Sequence, residues 1–328
     1  MQLRKVQEMG GTTLLVSIPK DWAKAASVKK GSVLSIETSG DGGLLIYPVK
    51  SDAQEDPEKE IEISYPSRFS NEGLPNEITA AYLLGYDLIR VKGKHRIASR
   101  DRERVISSIK KLIGLEVVEE DAQSITSQFL VDKTAVEPSK ILKRISTIVR
   151  AMISDTLKQV APGDVPQFES VAQRDDEVDR LHFLLVRLIR SAVREPRSAS
   201  KFGLTSIDCL DYRVAASQLE TAGDYAVELS NAIANLSKVD QGTGRLFASI
   251  TQLLEEISDN AARSFIAKDF TLGQRVFDQY QRLDALISDF SRNDVKVSPD
   301  LLHVLDLVER ITRCQRDVAD LVSPMNPA

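Results

Sequence analysis

The chain has 328 residues, of which 42% are hydrophobic and 28% charged, with a formal net charge of −5. That make-up belongs to an ordinary globular protein with enough core for two or three domains. No apolar run approaches the roughly twenty residues of a membrane span, the charged, Gly-containing N-terminus lacks a signal-peptide pattern, and 5% aromatic residues with one Trp argue against a base-stacking surface for single strands.

The charge is unevenly spread. Residues 1–30 carry Arg4, Lys5, Lys20, Lys24, Lys29 and Lys30 against Glu8 and Asp21, a net of +4, which leaves −9 on residues 31–328. A basic head on an acidic body concentrates positive potential in one module, as contact with the phosphate backbone of duplex DNA requires. Leu14–Ile18 reads as an apolar strand, Pro19 suits the first position of a helix running through Trp22 to about Ala26, and Lys30-Gly31 turns the chain into Val33–Ile36. Asp41-Gly42 is a hairpin signal leading to Leu44–Tyr47. Some fifty residues with so little helix cannot bury a sufficient core alone.

This order of elements, with Ser17-Ile18-Pro19-Lys20 at the end of the apolar strand, resembles the AbrB/SpoVT DNA-binding fold over about residues 3–49. The resemblance implies a swapped-hairpin β-barrel shared by two chains, hence a homodimer, with duplex DNA as partner of the six basic residues named above.

Residues 51–60 are polar and acidic and read as a linker. Beyond them Ile61–Ser64 alternates like a strand, Pro75–Leu84 is helical and ends at Gly85, and Asp87–Val91 is a strand. Asp101–Ile113 is an amphipathic helix stopped by Gly114, followed by strands at Leu115–Glu119 and Ser124–Val131. Strands alternating with helices at this spacing predict a small α/β domain over 61–134. Lys92, Lys94, His95, Arg96, Arg100, Arg102 and Arg104 form a second basic cluster, read as a solvated face.

From Pro138 to about Val322 apolar residues recur at three and four spacing. They do so in Ile141–Val160, Phe168–Val193, Ile207–Leu236, Leu246–Ala267, Leu272–Phe290 and Leu301–Leu321. Breaks are expected at Pro162-Gly163-Asp164, Pro196, Gly242-Thr243-Gly244, around Phe270 and at Ser298-Pro299. Six helices in two sets of three predict two consecutive three-helix bundles over 135–328. Cys209 and Cys314, on predicted helices, read as small buried side chains in a reducing cytoplasm.

Asp175 and Asp179 are four apart, as are Glu220 and Asp224. On a helix each pair lies one turn apart on one face, so two facing helices can offer several carboxylate oxygens to a cation. The same pattern also suits a solvated acidic face. The six-helix layout, with Arg174-Asp175-Asp176-Glu177-Val178-Asp179-Arg180-Leu181, Gln218-Leu219-Glu220-Thr221-Ala222-Gly223-Asp224-Tyr225 and the weaker echo Val308-Glu309-Arg310-Ile311, resembles PhoU, the phosphate-uptake regulator. That resemblance implies a metal site held by Asp175 or Asp176, Asp179, Glu220 and Asp224, with iron, zinc or magnesium as the ion. In the second set Gln281 stands where Asp179 would, and Arg313 where Asp224 would. A cation in that place is untenable beside a metal, so a second site is expected to be lost or much reduced.

Enzyme readings are weak. Ser17–Lys20 spells S-x-x-K and Ser258-Asp259-Asn260 spells S-D-N, but no Lys-Thr-Gly follows. His95, His182 and His303 are isolated, and a hydrolase built on the acidic helices lacks a nucleophile or base. The expectation is a non-enzymatic, cytoplasmic transcriptional regulator of phosphate uptake that binds DNA through its head and senses or relays phosphate status through its helices. The alternative is a PhoU-type adaptor that inhibits a phosphate ABC transporter by protein contact without binding DNA, with no membrane insertion in either case.

Overall fold

A computed structural model describes residues 3–38, 42–49, 58–69, 73–132, 136–159, 168–194, 199, 201–236, 239–293 and 298–322. Most of the expected linker, Asp41, and the breaks expected at 162–164 and Pro196 lie outside the described residues. The chain divides into two compact units, 1–57 and 58–328.

The first unit holds two antiparallel pairs and one short helix. Strand β1 (Gln7–Met9) pairs with β2 (Thr13–Leu15) in the register Gln7↔Leu15 and Met9↔Thr13. Gly10 and Gly11, both at positive φ, make the tight reversal between them, a conformation that costs other residues more. Helix α1 (Lys20–Ala25) starts after Pro19, whose carbonyl accepts from Ala23 N at 3.0 Å. Strand β3 (Leu34–Thr38) then pairs with β4 (Leu44–Pro48). None of the described residues of this unit is buried. Leu14, Val33, Ile36 and Leu44 are among those left in the open. The two hairpins stay separate sheets within one chain. Apolar residues line these strands, yet none of the described ones is buried within a single copy.

The second unit begins with a mixed sheet. Strands β5 (Glu60–Tyr65), β6 (Leu88–Gly93), β7 (Leu115–Glu120) and β8 (Ser124–Phe129) lie in the order β5-β6-β8-β7, with β5 parallel to β6 and the other pairs antiparallel. Helix α2 (Leu74–Leu83) makes the crossover between the parallel strands, and α3 (Ser99–Lys110) connects β6 to β7. Ile78, Tyr82, Val105 and Ile109 supply the buried helix faces over Ile89, Val91 and Ile125. The second basic cluster lies mostly exposed on this layer, where Lys92 pairs with Glu62 at 3.6 Å and Arg102 with Glu120.

Six long helices follow: α4 (Pro138–Lys158), α5 (Phe168–Arg194), α6 (Ser206–Ala234), α7 (Gln241–Ala267), α8 (Phe270–Asn293) and α9 (Pro299–Asp320). α4, α5 and α6 pack mutually, as do α7, α8 and α9, and the triplets join through α4 against α7 and α6 against α9. Side-chain caps set the starts of some of them. Thr205 and Asp208 form a reciprocal capping box on α6, and Ser298 accepts from Leu301 N on α9. The break expected at Gly242-Thr243-Gly244 is not there. Asp240 accepts from Thr243 N at 2.7 Å, so these residues form the first turn of α7, and the break between α6 and α7 lies before them, after Ala234. The break expected around Phe270 falls at Lys268, which takes a left-handed conformation.

Where the sequence suggests a separate domain over 61–134, the α/β layer and the helices share one continuous core. The joint is Arg187 of α5, fully buried. Its guanidinium donates to the carbonyls of Tyr82 and Tyr86 at 2.6 and 2.9 Å, pairs with Asp87 at 2.9 Å, and lies 4.0 Å from the Phe129 ring centre. A buried charge is tolerable only with partners of this kind.

Candidate cation site and nucleic-acid interface

The acids of α5 and α6 meet where these helices pack. Asp175 and Asp179 rise one turn apart on α5, and Glu220 and Asp224 one turn apart on α6. Gly223 sets the spacing: a Cβ there would stand 3.1 Å from Asp175 Oδ1 and 3.5 Å from Val178 Cγ1, so its absence lets the helices approach. One carboxylate oxygen from each of Asp179, Glu220 and Asp224 falls within 4.8 Å of the others. Asp175 lies beside this group with Oδ1 buried and without a hydrogen-bond partner. Asp176, also named from the sequence, is exposed and stands outside the group.

The electrostatics are those of acids crowded together and partly buried. Burial, then the charges of Asp179, Asp224, Asp176 and Glu220, push Asp175 up to about 7. Burial and then Asp224 raise both Asp179 and Glu220, tempered by Lys111 at Asp179 and by Arg213 at Glu220. Burial raises Asp224. Two further arginines of the region are engaged elsewhere: Arg174 pairs with Asp155 at 2.6 Å, and Arg144 with Glu177. Three convergent carboxylates and an orphaned buried oxygen fit a hard or borderline divalent ion, for which oxygen donors of this kind are the normal ligands.

Sequence reasoning missed His182. Read as isolated, it is buried three residues beyond Asp179 on α5, with Nδ1 3.9 Å from Glu220 Oε1. The three-residue spacing from Asp179 was the available signal. In the second triplet acids of α9 are engaged by arginines of the same helix. Arg313 pairs with Glu309 at 2.6 Å, Arg310 with Asp306 at 2.9 Å and Arg316 with Asp317 at 2.9 Å. Among the described residues, only the α5–α6 acids converge in this way.

In the first unit all six basic residues named from the sequence are exposed. Arg4 and Lys5 precede β1, Lys20 and Lys24 are one turn apart on α1, and Lys29 and Lys30 sit in the turn before β3. A short stiff helix edge followed by a basic turn is a geometry that can track phosphates.

A family model for the PhoU domain matches residues 142–233, and one described as "Antidote-toxin recognition MazE, bacterial antitoxin" matches residues 9–54. The chain joins a MazE/AbrB-type N-terminal domain to a PhoU domain. No curated protein matches it significantly. The PhoU match runs from the start of α4 to the end of α6, so it contains the whole acid group and leaves the second triplet outside. No described helix is long and apolar enough to cross a membrane.

Proposed function

We propose that this protein is a cytoplasmic, DNA-binding transcriptional regulator of phosphate uptake, without enzymatic activity, in which the PhoU domain senses or relays phosphate status. The observation that supports it is the joining of a basic MazE/AbrB-type domain to a PhoU domain in one chain whose remainder is acidic. The exposed apolar faces of β2, β3 and β4 are the reason for assigning a homodimer, since a second copy would cover them. DNA contact falls to Arg4, Lys5, Lys20, Lys24, Lys29 and Lys30. In the PhoU domain Asp179, Glu220 and Asp224 would hold iron, zinc or magnesium, with Asp175 beside them and Asp176 at the rim. The ion would supply the positive charge these acids lack. The chain's own part is to fix α5 against α6 and, through Arg187, against the α/β layer.

The test is retention of genomic fragments by the full chain at two phosphate levels and several salt concentrations. Arg4→Ala with Lys5→Ala should weaken binding and flatten the salt slope by about one unit per lost phosphate contact. No retention at low salt would overturn DNA binding. It would favour the adaptor reading, in which the PhoU domain contacts a phosphate ABC transporter and the basic head serves dimerisation alone.

A further inference from the structure

Arg213 and Glu220 lie two turns apart on one face of α6, and His182 of α5 projects between them. The imidazole is 8% exposed. Its two nitrogens have different neighbours: Nε2 is 3.5 Å from Arg213 Nη1, whereas Nδ1 is buried, makes no hydrogen bond and faces Glu220 Oε1 at 3.9 Å.

A guanidinium carries only donors, so its presence at Nε2 makes that nitrogen the acceptor and places the ring proton on Nδ1. The 3.9 Å gap is too long for a hydrogen bond. His182 also lies outside the group of mutually close acids. It therefore stands behind Glu220 and not among the ligands. A buried N–H with no acceptor, one ångström short of a half-buried carboxylate, is a contact waiting on a small movement of that carboxylate.

We propose that His182 is a positioning residue of the cation site, its Nδ1–H closing on Glu220 Oε1 when an ion draws that carboxylate inward. The inference rests on the cation reading given above. The contact would fix which oxygen of Glu220 faces the ion, and Arg213 would fix the tautomer that makes the contact. The Thr221 hydroxyl donates to the other oxygen, Glu220 Oε2, at 3.4 Å, which leaves Oε1 as the oxygen that faces His182. A hydrogen bond behind a ligating carboxylate orients it and stiffens the site.

The experiment is calorimetric titration of the full chain with Mn²⁺ and with Zn²⁺, comparing wild type, His182→Gln and His182→Asn, with the metal-free melting temperature as a check on folding. Asn places an amide N–H near the position of Nδ1, whereas Gln reaches toward Nε2 and leaves Glu220 without its donor. His182→Gln should lose about 10–100-fold in affinity for both ions, and His182→Asn should recover most of it. Unchanged affinity in His182→Gln would overturn the positioning role and leave the cation site standing. Equal loss in both variants, confined to Zn²⁺, would make His182 a ligand in its own right and likewise overturn it. Absence of binding by the wild type would remove the cation reading and this inference with it.

Discussion

The two helical triplets are built alike and differ in where their cations stand. α4–α6 and α7–α9 have similar lengths, the same apolar periodicity and one continuous core. On the first, Asp175, Asp179, Glu220 and Asp224 converge and their proton affinities rise together. On the second, Arg310, Arg313 and Arg316 pair with acids on their own helix. Apolar spacing decides that a bundle forms, whereas the placement of a few charges on its surface decides whether it can take a ligand. The first triplet is also the one riveted to the α/β layer, through Arg187.

The sharpest contrast should come from two arginines. Arg187→Ala removes the donor from the Tyr82 and Tyr86 carbonyls and the counter-charge from Asp87 at a buried joint, and is expected to cost about 3–5 kcal/mol. Arg316→Ala, at a half-exposed pair with Asp317, should cost ~0–1 kcal/mol. Equilibrium denaturation of the full chain reads both, and equal costs would erase the distinction between the triplets. Next in size is the acid group itself. Asp179→Asn and Asp224→Asn should each raise the melting temperature of metal-free protein by relieving repulsion, and lower its rise on adding Zn²⁺, Fe²⁺ or Mg²⁺. Mutants that melt lower with and without metal would speak for packing and against a cation site.

The pH dependence follows from the same group. Asp175 has a folded pKa of about 7 against 3.8 unfolded, so its contribution is fully present below about 3.8 and fades as the pH rises through 7. Asp179, Glu220 and Asp224 are shifted in the same direction. His182, held at about 4 against 6.5, acts oppositely, its contribution being lost as the pH falls through 4. Four acids outweigh one imidazole, so chelated protein should melt higher at pH 5.5 than at pH 7.5. Saturating cation requires deprotonated acids and should reverse that order. Melting curves at the two pH values settle it, and an unaltered order with metal would count against the site.

Much of this was legible in the sequence, and the exceptions have physical causes. The helix faces around Leu142–Leu157 and Val304–Val318 follow from apolar periodicity, and the pairs Asp175/Asp179 and Glu220/Asp224 from their four-residue spacing. Helix starts were not legible to the same degree. α7 begins at Gln241 because the Asp240 side chain satisfies its first amides, which outweighs the poor helix propensity of Gly242 and Gly244. Arg187 could not be found from its neighbours on α5, because its partners Tyr82, Tyr86 and Asp87 are about a hundred residues away. The neighbours of His182 were hidden for the same reason: Arg213 and Glu220 belong to another helix. Local patterns give elements and faces, whereas the partners of a buried polar group belong to tertiary structure.

The smallest expected effects lie in the second triplet, and they test whether its surface is as inert as its pairing implies. Gln281 occupies the place of Asp179 and Arg313 that of Asp224. Arg313 and Glu309 form an exposed pair one turn apart on α9, the class of contact that salt screens and side-chain entropy offsets. Gln281→Ala and Arg313→Ala should therefore leave cation content, measured by elemental analysis, equal to wild type, and the melting temperature nearly unchanged. Restoring acids should be more telling. Gln281→Asp combined with Arg313→Asp puts two uncompensated carboxylates on α8 and α9, where Asp278 already lines the adjacent groove with Gly273 and Gln274. If the triplets differ only in the sign of these side chains, the double variant should lose stability without metal and gain a second equivalent of bound ion with it. Loss of stability without any gain in binding would show that backbone spacing, set in the first triplet by Gly223 against Asp175, matters as much as charge.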